Sequence, residues 1–188
     1  MANQSKREQL INQLENKFND IGQDLDTHLE GILYSEPMTY WDYIQTDALL
    51  NLQTKRTTLP DEMVFIMYHQ VNELLFKMIL WDIEQVAHHK ELTATFFTSR
   101  LMRISRYFDM LTSSFAIMQD GMEVEQYLKF RNTLTPASGF QSAQYRKIEF
   151  ASTDLINLID ARFRETIDRD TPYEHALDHL YWQAAGKD

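Results

Sequence analysis

The sequence has no cysteine, which removes disulfides, thiolate nucleophiles and cysteine-ligated metals together. Glycine (5) and proline (4) are scarce in 188 residues, which with the plentiful aromatics points to long helices packed with large side chains. No GxGxxG, GxxxxGK[ST] or GxSxG pattern occurs, and phosphate cradles and the nucleophile elbow are unsupported. Positive charge is short as well: 18 Lys and Arg stand against 28 Asp and Glu. The resulting net charge of −10 offers no basic footprint to nucleic acid or to an anionic membrane. No apolar run approaches the roughly 20 residues of a membrane span, and MANQSKREQL lacks the apolar stretch of a signal peptide, so a cytoplasmic location is expected.

Large side chains are abundant, with 44% hydrophobic and 12% aromatic residues. No alternating strand pattern, internal repeat or low-complexity tract appears. An all-α bundle of long helices is expected, in a single domain over 1–188 with an N-terminal helix over 1–34, a core over 40–150 and C-terminal helices over 151–188.

The organising stretch is 58–77, TLPDEMVFIMYHQVNELLFK. Thr58 can N-cap a helix, with Asp61 three residues on and Pro60 in the first turn. Glu62, Phe65, His69, Asn72 and Phe76 then fall on one face, and the remaining circumference is mostly apolar, which predicts a helix to about residue 90 buried all round. His69 on such a helix either bonds a neighbour or faces a pocket.

Spacings of three and four predict one amphipathic helix over 6–33, which packs on another subunit or on its own core. Helical spacing resumes through TYWDYIQTDALLNLQ, where Tyr40, Trp41 and Tyr43 cluster as core or as the lining of a pocket or interface. A third long helix is expected over 92–119, with Arg100, Arg103 and Arg106 on a solvated face. Gly121 ends it, and a short helix over 123–132 puts Tyr127 and Arg131 on one face. The Pro-, Gly- and Ser-containing stretch TLTPASGFQSAQYRKIEF is the expected functional loop, followed by shorter helices over 155–166 and 173–185.

His175 and His179, four apart beside Glu174 and Asp178, could share a metal or form a solvated polar face, and they lack the HExxH order. Otherwise the chemistry-bearing residues are His69 with Phe65, Arg131 with Tyr127, and the SGFQS loop. The planar fork of a buried Arg suits a carboxylate, and a pocket of aromatic walls, one Arg and one neutral His would suit an aromatic amino acid.

Three segments in order, YWDYIQTDALLNLQ, DEMVFIMYHQVNELLFKMIL and YLKFRNTLTPASGFQSAQYRKIEF, closely resemble signature segments of the tryptophan 2,3-dioxygenase family. The resemblance implies an all-helical haem protein, homotetrameric, cleaving the indole ring of L-tryptophan with O2 to N-formylkynurenine in the first step of tryptophan catabolism. By position, His69 matches the distal His that bonds the indole N–H, and Phe65 the aromatic wall beside it. Arg131 matches the residue gripping the substrate carboxylate, with Tyr127 and Phe130 lining the pocket. Ser138 and Gly139 match the loop over haem b, while Tyr40, Tyr43 and Ile44 match residues reaching in from a neighbouring subunit. The family's proximal haem-ligating His and a Thr binding the substrate ammonium lie beyond residue 188, and none of His28, His69, His88, His89, His175 or His179 matches that ligand. The chain is therefore expected to be the N-terminal part of such an enzyme, without turnover by itself. The alternative is a haem-free helical binding or assembly module.

Overall fold

The computed structural model describes residues 2–158 and 161–164; every regular element among them is helical. The chain separates into two compact units, Met1–Leu52 and Gln53–Asp188.

In the first unit, α1 (Ala2–Asp20) and α2 (Leu25–Tyr34) replace the single helix expected over 6–33. Gly22 adopts φ 68°, a left-handed conformation that turns the chain at little cost without a Cβ. The Asp24 carboxylate then accepts from the Thr27 N–H at 2.9 Å and caps α2. The apolar spacing runs through the break because α2 folds back on α1, burying Leu25 and placing the Phe18 and His28 rings 4.6 Å apart. The next expected helix is also divided, into α3 (Tyr40–Ile44) and α4 (Thr46–Leu49), by Gln45 at φ 58°. Thr39 and Asp42 form a reciprocal capping box at the start of α3.

The second unit is built on α5 (Asp61–Ala87), against which α6 (Ala94–Gln119), α7 (Val124–Leu134) and α8 (Ala143–Ser152) all pack. Leu75 and Ile79 of α5, Phe130 of α7 and Ile148 of α8 are the buried apolar residues. The expectation that α5 is buried all round is corrected: Met67, Val71, Leu74, Met78 and Trp81, spaced four and three apart, form an exposed stripe. The three partner helices leave that side of it uncovered.

The start of α5 differs as well, because Pro60 takes the N-cap position, where it has no side-chain cap, and Asp61 is the first helical residue. At the end of α6, Gly121 is required by close approach, since a Cβ there would lie 2.6 Å from the Ile117 carbonyl oxygen. Arg100 and Arg103 of α6 are not a solvated face. Their Nε atoms lie 3.8 and 3.1 Å from the carboxylate of the fully buried Asp82, which ties α6 to α5.

Between α7 and α8 a single 3-10 turn, Gly139–Gln141, is framed by a capping box of Ser138 and Gln141. The segment expected to be helical over 155–166 is described as α9 (Leu155–Leu158) and α10 (Ala161–Arg164). The helix expected over 173–185, with His175 and His179, lies outside the described residues.

Candidate functional site

About one turn of α5 and one of α7 meet in an aromatic cluster. Phe65 reaches from α5, and its ring centroid lies 6.2 Å from that of Tyr127 and 5.4 Å from that of Phe130, both on α7. Tyr127 and Phe130 meet edge to face at 5.6 Å and 90°. Phe130 is fully buried and anchors the group, whereas Phe65 and Tyr127 are half-buried and form its outer part.

His69 sits one turn beyond Phe65, with ring centroids 4.1 Å apart, and Tyr68 closes on it edge-on at 5.4 Å. Its Nδ1 is 2.8 Å from the Phe65 carbonyl oxygen. A carbonyl can only accept, so Nδ1 carries the proton in this bond, and in the neutral ring Nε2 is left as an acceptor. Of the two alternatives raised by the sequence, the bond to a neighbour is the one observed.

Arg131 lies one turn beyond Tyr127, with its guanidinium carbon 5.9 Å from the Tyr127 ring centre. It is exposed rather than buried, and among the described residues it makes no ion pair. The cluster therefore carries an imidazole on one helix and, on the other, a cation with no ion pair among the described residues.

Ser138 and Gly139 stand in the loop after α7. The Ser138 hydroxyl accepts from the Phe140 N–H at 3.3 Å, and space is open around the position a Cβ would take on Gly139. The following segment is pinned to α5 by Gln144, whose amide donates to the Glu73 carbonyl at 2.9 Å and to its carboxylate at 2.8 Å, one turn beyond His69. Tyr40, Tyr43 and Ile44 belong to the first unit, where all three are exposed on α3.

Several residues around the cluster were not singled out as site residues. Glu62, buried at 1% exposure, accepts from the Arg56 N–H, the Thr57 N–H and the Thr57 hydroxyl at 2.7, 2.7 and 2.6 Å, fixing the loop before α5. Burial would push its carboxyl up, but the Thr57 hydroxyl and the two backbone donors outweigh this and hold it below its ordinary value. Gln53 donates to Gln70, the neighbour of His69, at 2.7 Å. Glu62, Gln70 and Glu73 stand out only as polar residues on an apolar helix; their partners lie outside it.

Among the described residues, no three His, Asp or Glu side chains converge where a metal ion could sit. His88 and His89 are exposed at the end of α5, and His28 stacks on Phe18 in the first unit. The Nε2 of His69 can serve one partner, an indole N–H or an iron, and not both. Among the described residues of this unit, no other His stands beside His69 in the cluster.

The model of the family described as tryptophan 2,3-dioxygenase matches residues 28–175. The chain is 40% identical over 119 residues to tryptophan 2,3-dioxygenase of Ruegeria sp. (strain TM1040), covering 62% of this chain and 42% of the relative. It is 39% identical over 122 residues to that of Bacillus thuringiensis (strain Al Hakam), covering 63% and 42%, and 38% identical to tryptophan 2,3-dioxygenase B of Danio rerio, covering 58% and 30%. The chain thus spans less than half the length of these curated relatives. With the match extending over most of its length and through every helix of the aromatic cluster, the chain belongs to the tryptophan 2,3-dioxygenase family.

Proposed function

We propose that this chain supplies the substrate-recognition part of a haem-dependent enzyme that cleaves the indole ring of L-tryptophan with O2 to N-formylkynurenine. The reading is carried by one observation: an imidazole acceptor and a cation without an ion pair among the described residues flank a single aromatic cluster, on adjacent helices. Arg131 takes the substrate carboxylate in a two-point grip, and stacking against Tyr127 steadies its guanidinium. His69 accepts the indole N–H at Nε2 because Nδ1 is committed to Phe65. Phe65, Tyr127 and Phe130 exclude water from the ring and hold it in place, which is the protein's main task when a cofactor carries the chemistry.

Haem, when bound, would activate O2. Ser138 and Gly139 are proposed to lie against the haem. Tyr40, Tyr43 and Ile44 are proposed to complete a neighbouring subunit's pocket in a homotetramer, a role supported by the exposure of all three. No helix among the described residues is long and apolar enough to cross a membrane, and a cytoplasmic setting is part of the same proposal.

Calorimetric titration tests the recognition directly. L-tryptophan should bind at least about tenfold more tightly than tryptamine, which lacks the carboxylate, because a hydrogen bond to a charged group is worth roughly 1.5–3 kcal/mol. Arg131→Ala should erase that preference. Equal binding of the two ligands by the unaltered chain would contradict the assignment.

A further inference from the structure

The N-termini of α5 and α7 have no side-chain caps of their own. They cap each other instead. The Asp61 carboxylate, on the first residue of α5, accepts from the Glu123 N–H at the N-cap of α7 at 2.7 Å. In return the Gln126 side-chain oxygen, in the first turn of α7, accepts from the Asp61 N–H at 3.2 Å, while its amide donates to Glu123 at 2.8 Å. Each bond satisfies a donor that a helix leaves unpaired at its start.

This pair of bonds does more than close two helix ends, because it sets the register of one helix against the other. Phe65 is four residues beyond Asp61 and Tyr127 four beyond Glu123, and their rings are 6.2 Å apart. His69 is eight residues beyond Asp61 and Arg131 eight beyond Glu123, both about 12 Å along their helices. The two polar groups of the site are thus at the same height above a common lock. A slip of one residue on either side would raise one by about 1.5 Å and swing it about 100° around its helix.

We propose that Asp61 and Gln126 are positioning residues that fix Arg131 relative to His69, and so select a ligand that needs both. The inference rests on the reading of the site proposed above. A positioning role makes a prediction that general stabilisation does not: the loss should fall on a ligand engaging both helices and spare one engaging α5 alone.

The test is titration of the full chain with L-tryptophan and with indole, which has the ring N–H and no carboxylate, for the unaltered chain, Asp61→Ala, Asp61→Asn and Gln126→Ala. The two alanine variants should lose about tenfold in L-tryptophan affinity and stay within about twofold for indole. Asp61→Asn keeps an oxygen acceptor and should stay within about threefold for both. Equal losses for both ligands, or no loss for either, would overturn the positioning role and leave the site reading standing. An unaltered chain that binds neither ligand would overturn the reading, and the role with it.

Discussion

Glu62 is buried at 1% exposure, yet three donors from residues 56 and 57 point at its two oxygens. Its carboxyl is held below its ordinary value, so the folded chain releases this proton more readily than the unfolded one. The contribution is fully present above the ordinary Glu pKa of about 4.3 and is lost as pH falls through the lower folded value. Glu62→Gln should therefore lower Tm at neutral pH and flatten its fall on acidification, as followed by circular dichroism; parallel curves for variant and parent would show that the clamp contributes nothing. Glu62 also marks the limit of a reading by periodicity. Phe65 with His69 and Tyr127 with Arg131 were legible as two faces because the members of each pair are four apart on one helix, whereas Phe130 came from the family resemblance alone. What could not be read was that the two helices meet, and that Asp61 caps a helix 62 residues downstream rather than its own.

At the level of elements, the long helices over 61–87 and 94–119 were legible from apolar spacing, and the end of the second from Gly121. The breaks in the first unit were not, for different reasons. Gly22 and Asp24 carry a turn and a cap signal that the continuing apolar spacing outweighed, whereas Gln45 in a left-handed conformation carries no signal in its residue type. The α5–α6 pairing rests on an ion cluster that looked like surface charge: Asp82 is fully buried, with Gln85 at 3.2 Å and Arg100 and Arg103 on its two oxygens. Removing the carboxylate leaves two cations facing an apolar joint. Asp82→Ala should cost about 3 kcal/mol in urea unfolding, at the lower end for a broken buried pair because Arg103 is 40% exposed. A loss under about 0.5 kcal/mol would mean that water already satisfies the arginines.

The whole molecule presents apolar stripes that its own described residues do not cover. Met67, Val71, Leu74, Met78 and Trp81 line one side of α5, while Phe97, Leu101, Phe108 and Phe115 lie exposed along α6. The chain spans 42% of its Ruegeria relative. The proposed role of Phe65, His69, Tyr127, Phe130 and Arg131 is recognition of L-tryptophan for oxidative cleavage. It is tested most directly by joining this chain to the part of the Ruegeria relative that it does not match and assaying N-formylkynurenine from L-tryptophan. Product formation is expected, with Arg131→Ala reducing kcat/KM by about a hundredfold. A chimera that binds haem with a sharp Soret band and forms no N-formylkynurenine, or one indifferent to Arg131→Ala, would contradict the account.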